Sequence, residues 1–201
     1  MSFGMSMEAM KKELAGRLKK SRFQHSLGVA DTAVFLAKRF GADVEKAAVA
    51  GLLHDCAREF TNESMINEAV KRNIPVGTIE QAMPLLLHAH IGACRVREIY
   101  QVDDPAVEQA IRRHTVAAPA MTELDKIIWF ADMIEPGRDY LEVERLRDLS
   151  RTASLNDMVL EGLSQSIKFV VEKGHLIHPD TVLARNELLL RNNCECKGTE
   201  K

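Results

Sequence analysis

Apolar positions recur at helical spacing through almost the whole chain. Over residues 7–20, Met10, Leu14 and Leu18 fall four apart in one stripe. Ser21 and Gln24 read as a capping box. The helix they open turns Phe23, Leu27, Ala30, Val34 and Ala37 inward, and Gly41 ends it. Asp43 caps a third helix through Ala47, Ala48, Gly51 and Leu52, an apolar run that stops on His54-Asp55. Thr61 caps the next, with Met65, Ile66, Ala69 and Val70 inward, until Asn73-Ile74-Pro75 breaks it. Thr78 and Gln81 repeat the capping-box pattern before Pro84. Leu85-Leu86-Leu87-His88 is a second apolar run ending on histidine, followed by Ile91, Val96 and Ile99. Asp104-Pro105 is an N-cap with proline at the first helical position, leading to Val107, Ala110, Ile111 and His114. Thr122 caps Leu124, Ile127, Ile128 and Ala131, with Asp132 one residue on and Pro136 soon after. Residues 155–171 form a longer amphipathic helix ended by Gly174, and a last helix after Pro179 carries Val182, Leu183, Asn186 and Leu190. No stretch alternates with period two, and no segment repeats. The pattern predicts an all-α fold, a single domain over residues 1–201 with its core from about 18 to 190. The ends before Met7 and after Asn192 are expected to be mobile.

Composition narrows this picture. A chain of 201 residues is long enough to bury a real core, and 46% apolar with 28% charged residues is ordinary for a globular protein. A formal charge of −2 argues against a surface built for nucleic acid or an anionic membrane, while leaving room for a local basic pocket. No leader pattern opens the chain, and no apolar run approaches the length of a membrane span. Cys56, Cys94, Cys194 and Cys196 lack zinc-type spacing, and the last two are too close to close a useful loop. Reduced thiols in the cytoplasm are the expectation.

Candidate chemistry comes from histidines on apolar faces. Taken alone, His54-Asp55 reads more readily as a helix end, with the imidazole capping carbonyls and Asp55 starting a turn, than as a metal site. His25, His54, His88 and His114, with the less clearly placed His90, lie in or beside strongly apolar helices, and Asp55 and Asp132 share that placement. Left unpaired, each buried polar group would cost on the order of 1–3 kcal/mol. Converging on metal, they satisfy one another. Six ligands exceed one tetrahedral zinc and suit two adjacent cations bridged by a carboxylate. Nitrogen and oxygen donors without thiolate favour iron, manganese, cobalt or zinc.

The spaced His25, His54-Asp55 and Asp132 resemble the signature of the HD-domain metal-dependent phosphohydrolases. The closer resemblance is to the symmetrical bis(5'-nucleosyl)-tetraphosphatases. It is carried by Arg22-Phe-Gln-His25-Ser-Leu-Gly-Val29, Ala50-Gly-Leu-Leu-His54-Asp55 and Leu87-His88-Ala-His-Ile-Gly92-Ala93. It continues through Ala110-Ile-Arg-Arg-His114-Thr115, Leu124-Asp-Lys-Ile-Ile128, Ala131-Asp132-Met-Ile-Glu-Pro136-Gly-Arg138 and Ile177-His-Pro-Asp-Thr181 with Arg185-Asn186. His90 and Val116-Ala117-Ala118 depart from it, standing where a proline and a glycine are expected.

The resemblance implies a di-iron centre inside a single HD-domain helical fold. His25, His54, Asp55 and Asp132 would surround one metal and Asp55 would bridge. His88 and His114 would serve the second metal or contact phosphate. It implies hydrolysis of diadenosine tetraphosphate to two ADP by a metal-activated water, with His54 and Asp55 as the catalytic pair. Arg22, one helical turn before His25, and Arg138 are candidates for substrate phosphates, together with His88 and His114. Lys126 and Arg185 are read as solvated charges. The segment 174–179 reads either as a cover for the nucleotide or as a plain helix break. Partners are confined to a small-molecule nucleotide, with no nucleic acid and no membrane, and a homodimer stands open beside a monomer. Other readings are another HD phosphohydrolase (a nucleotidase or deoxynucleotide triphosphohydrolase), an HD-domain di-iron oxygenase, and a nucleotide-sensing domain without turnover.

Overall fold

Burying the apolar stripes against one another produces a helical assembly. The computed structural model describes residues 3–198, with side chains described as far as Arg191; among these residues lie eleven α-helices, a short 3-10 turn and no strand. In order they are α1 (Met7–Arg17), α2 (Lys20–Phe40), α3 (Val44–Leu53), α4 (Asn62–Lys71) and α5 (Thr78–Ala82). The 3-10 turn Pro84–Leu86 leads into α6 (Leu87–Glu98), followed by α7 (Pro105–Arg113) and α8 (Glu123–Ile134). The chain closes with α9 (Val143–Thr152), α10 (Leu155–Glu172) and α11 (Pro179–Gly198). No helix among the described residues is long and apolar enough to cross a membrane.

The long α2 lies against α3 and α8, α7 joins α3, α6 and α8, and α10 covers α8 while carrying α9 and α11. The main core includes Val29, Leu36, Leu52, Leu53, Ile111, Ile127 and Phe130, all essentially inaccessible. A smaller cluster of Ala57, Met65, Ala69, Leu87 and Ile91 fastens α4 to α6. Gly51 is where α2 and α3 come closest: a methyl there would lie 2.8 Å from the Cα of Ala30. That approach puts the end of α3 directly over the second turn of α2, and so His54 over His25.

Most caps fall where side-chain chemistry places them. Asp43, Thr61, Asp104, Thr122 and Ser154 each accept backbone amides at the start of α3, α4, α7, α8 and α10. Two differ from expectation. α2 starts at Lys20 behind Lys19, with no side-chain cap, so the Ser21–Gln24 box does not form. The boundary is set instead by Leu18, which turns into extended backbone and is buried in the core. In α5 the box sits one residue earlier: the Gly77 amide donates to Glu80 Oε2 at 2.9 Å.

Other differences have equally local causes. α9 is unheralded because five of its ten residues are charged and the residue before it, Glu142, adopts φ +77° and offers no cap. Val70, expected inward, is exposed, as are Leu183 and Leu190 of the last helix. Lys126 is buried and donates to Asn156 Oδ1 at 2.7 Å, and Arg185 donates to Ser164 Oγ at 2.9 Å; neither is the solvated charge expected. Phe3 and Met5 pack on the core, and the Gly4 amide donates to Gln101 O at 3.1 Å, so residues 3–5 lie against the body of the fold. At the other end α11 continues past Asn192 to Gly198. Residues 1–2 and 199–201, and the side chains of Cys194 and Cys196, lie outside the described residues.

Candidate metal centre

Five helices aim polar side chains at one buried point, each from within two turns of one of its ends. His25 comes from the second turn of α2, His54 and Asp55 follow the end of α3, and His88 opens α6. His114 is the C-cap of α7, and Asp132 lies in the last turn of α8. The donor atoms form three overlapping triads, His25–His54–Asp55, His54–His114–Asp132 and Asp55–His88–His114, each with all atoms within 4.8 Å of one another. All six residues predicted as ligands meet here. The four imidazoles run edge to face in the order His25, His54, His114, His88, with centroids 5.1, 4.9 and 4.9 Å apart.

Asp55 stands between two halves of the cluster. Its Oδ2 faces His54 Nε2 at 3.5 Å and His25 Nε2 at 3.7 Å, and accepts from Arg22 Nη1 at 2.8 Å. Its Oδ1 faces His88 Nε2 at 3.1 Å and His114 Nε2 at 3.7 Å. Asp132 Oδ1 lies 3.0 Å from His25 Nε2 and 3.8 Å from His54 Nε2, and accepts from Arg138 Nη2. Thus Arg22 and Arg138, expected at substrate phosphates, each grip a carboxylate of the cluster.

The ring nitrogens decide whether a cation fits. Nδ1 of His54 lies 2.7 Å from Gly51 O, Nδ1 of His114 is 2.7 Å from Ile111 O, and Nδ1 of His88 faces Leu85 O. A carbonyl only accepts, so each Nδ1 carries a proton and, in the neutral ring, each Nε2 presents a lone pair inward. Those lone pairs point at one another: Nε2 of His25 and His54 are 3.2 Å apart, and Nε2 of His88 and His114 are 3.0 Å apart. Facing lone pairs beside two carboxylates are unfavourable unless protons or metal cations lie among them. The residues therefore fit a divalent cation, and imidazole with carboxylate is a donor set such ions accept.

Electrostatics agrees with that reading. Burial opposes charge on Asp55, but His54, His114 and His88 outweigh it and hold the carboxyl well below the usual range. Burial likewise opposes ionisation of Asp132, while His25, His54 and Arg138 overcome it and keep the group ionised. On His25 burial disfavours the charged ring, yet Asp132 and Glu135 raise its pKa above the ordinary value. Burial lowers that of His88 despite Asp55. The neighbouring Cys56 is pushed by burial up to about 12, so it stays a neutral thiol and not a ligand.

Several residues were not given roles by the sequence. Glu135 is buried, with Oε1 accepting from His25 Nδ1 at 3.0 Å and Oε2 from the Gly137 amide at 2.6 Å. A carboxylate behind an imidazole fixes its tautomer and strengthens it as a ligand. Gly28 leaves space for this arrangement, because a methyl there would lie 2.6 Å from Glu135 Oε2. Thr115 Oγ1 lies 3.2 Å from both His88 Nε2 and His114 Nε2. Arg147 donates to the carbonyls of Ile134, Glu135 and Arg138 at 3.0, 2.8 and 2.9 Å, holding the turn that carries Glu135 and Arg138. Arg58, three residues beyond Asp55, is partly buried, and its side chain has no hydrogen bond or ion pair among the described residues. The signal for Arg58 and Glu135 was spacing: each follows a cluster carboxylate by three residues, and so can return to the same face. The expected departures lie close by. His90 Nδ1 is buried without a partner, and Ala117, near the expected glycine, takes φ +62°.

Comparison with known proteins places this geometry in a family. The HD domain model matches residues 22–137, from Arg22 to just past Glu135. A Halalkalibacterium halodurans protein named bis(5'-nucleosyl)-tetraphosphatase, symmetrical, is 38% identical over 190 residues, covering 94% of this chain and 98% of its own. A Bacillus subtilis protein of the same name is 36% identical over 173 residues, covering 86% of this chain and 92% of its own. Among solved structures, a Clostridium acetobutylicum protein described as a predicted HD superfamily hydrolase involved in NAD metabolism superposes with a TM-score of 0.89 at 39% identity, over 94% of this chain and 100% of its own. By its His/Asp cluster and the length over which it matches, the chain belongs to the HD-domain family, in the branch that holds the proteins named symmetrical bis(5'-nucleosyl)-tetraphosphatases.

Proposed function

We propose that this protein hydrolyses dinucleoside tetraphosphates at the centre of the phosphate chain, so that diadenosine tetraphosphate and water give two ADP. The observation that carries the reading is the split environment of Asp55, one oxygen toward His25 and His54 and the other toward His88 and His114. Relatives matched over nearly their full length and named for this activity supply the substrate. His25, His54, Asp55 and Asp132 would hold one divalent cation, and Asp55, His88 and His114 a second. Iron is the metal we assign, with manganese, cobalt and zinc compatible with the same donors. Bound there, such cations supply Lewis acidity, acidifying a water and drawing charge from the attacked phosphoryl group.

The chain's own residues do the rest. Asp55 is the common ligand that fixes the spacing of the two halves. His54, wholly buried, keeps its Nε2 toward the centre through its Nδ1–H on Gly51 O. Arg22 and Arg138 donate to the same oxygens that face His25 and His54, Asp55 Oδ2 and Asp132 Oδ1, and their remaining N–H groups are left for a tetraphosphate that has reached the centre. Arg58 is the cation free to take phosphate outright: burial lowers its pKa, so an anion arriving beside it relieves a desolvated charge. His88 and His114 complete the second half, with the Thr115 hydroxyl between them. Binding and placement of the leaving ADP are then the protein's task, since phosphoryl transfer asks little covalent chemistry of side chains.

The test compares substrates on metal-loaded protein. Turnover of diadenosine tetraphosphate exceeding that of deoxynucleoside triphosphates and nucleoside monophosphates supports the reading. Preference for either of the latter would transfer the site to another HD phosphohydrolase. Oxygen uptake with a polyol or phosphonate would assign it to the oxygenases.

A further inference from the structure

The turn that follows the metal centre displays apolar surface that the fold does not need. Leu141 is 88% exposed, the highest among the exposed large hydrophobic side chains, and Tyr140 beside it is partly exposed. Neither is a loose end. The Tyr140 hydroxyl donates to Met133 O at 3.0 Å, tying the ring to the residue after Asp132. The Val143 amide donates to Tyr140 O at 3.2 Å, and Arg147 holds the carbonyl of Arg138 just upstream. Glu142 completes the turn at φ +77°, a conformation that costs a non-glycine residue energy and persists only where the surroundings impose it. The turn after Arg138 thus leaves an aromatic ring and an aliphatic side chain open to solvent, two and three residues past a side chain that pairs with Asp132.

Their neighbours define what fits. Arg138, Arg147 and Asp132 all lie within electrostatic reach of the Tyr140 ring, and Arg138 and Asp132 belong to the centre itself. A phosphate held at Arg138 leaves the nucleoside of the same ligand free to meet Tyr140 and Leu141, two and three residues further along the chain. Resting on the function proposed above, we infer that Tyr140 and Leu141 form the platform for a nucleobase of the substrate, and so set the preference for nucleotides over bare polyphosphate. An aromatic face accepts any base by stacking, with an effect of about tenfold or more in affinity.

The test measures the nucleoside increment, the ratio of affinities for ADP and inorganic pyrophosphate, by calorimetry on the metal-loaded full chain. Wild type is expected to bind ADP at least about tenfold more tightly than pyrophosphate. Tyr140→Ala and Leu141→Ala should each shrink that ratio without weakening pyrophosphate binding. Tyr140→Phe, which keeps the ring, should preserve it. Leu141→Ala removes an exposed side chain, so the protein remains folded and the comparison holds even where Tyr140→Ala fails. An absent increment in wild type, or one unchanged in Leu141→Ala and in any folded Tyr140→Ala, overturns the inference. So does a dimer that Leu141→Ala converts to monomer with the increment intact, which would give the patch to a second copy of the chain. If the increment is present but diadenosine tetraphosphate is not split into two ADP, the function fails and the platform stands.

Discussion

At the scale of single residues, the account turns on which atoms are left without a partner. Three imidazoles spend their Nδ1 protons on carbonyls three residues back and turn Nε2 inward, while His25 spends its proton on Glu135. Glu135→Gln keeps the shape and loses the charge behind His25. We expect metal affinity to fall about 10–100-fold with the fold retained, read by titration against a competing chelator. An unchanged affinity would remove Glu135 from the metal's support. Gly28→Ala should reproduce the same loss through the Glu135 carboxylate its methyl would strike. For Asp55 the consequence is larger: Asp55→Ala should lose turnover by well over about 100-fold, the upper range for a mere supporting residue, together with most bound metal. Full metal content and rate in that variant would refute the bridging role.

At the scale of elements, cap chemistry decides where most helices start, and one cap carries an additional ion pair. Asp104 accepts the amides of Ala106 and Val107 at 2.9 and 3.2 Å and pairs with Lys46 at 2.7 Å, joining α7 to α3. Burial opposes its ionisation, but Lys46 and the two amides lower its pKa. The stabilisation is present above the unfolded carboxyl value of about 3.9 and is lost as pH falls through the lower folded value. Asp104→Ala should cost about 1–2 kcal/mol at neutral pH, and the difference from wild type should shrink in strong acid; a constant difference down to pH 2 would contradict this. The elements legible in the sequence were those with both a capping side chain and an apolar stripe, such as α3, α4, α7 and α8. α2 and α9 were misjudged or missed because their boundaries are set by tertiary burial of Leu18 and by the turn at Glu142, neither of which leaves a local signal. The convergence of six histidine and aspartate side chains could be read because such groups on apolar helices are costly without a common purpose. Glu135 and Arg58 left only their three-residue spacing from a cluster carboxylate, and Thr115 left no signal, since a carboxylate, guanidinium or hydroxyl near a helix end is ordinary until the fold shows what it faces.

At the scale of the whole molecule, the metal centre fastens α2, α3, α6, α7 and α8 together, so loading and stability are linked. Metal at about 100 times its dissociation constant adds about 2.7 kcal/mol. For a chain of this size, stripping it should lower Tm by about 5–10 °C, reversed by adding the ion back; identical melting with and without metal would deny the fastening. Protons compete for the same nitrogens. The charged state of His25 stabilises the metal-free fold fully below the unfolded value of about 6.5, and that contribution fades as pH rises through the raised folded value. Metal takes the neutral ring, so affinity should rise with pH across that window. The central claim is cleavage at the middle of a tetraphosphate by this centre. Its most direct measurement is mass spectrometry of products formed from diadenosine tetraphosphate in 18O-labelled water by the metal-loaded protein. ADP is expected as the sole nucleotide product, with the label in one of each two molecules formed. ATP and AMP as products, or no release of nucleotide, would contradict it.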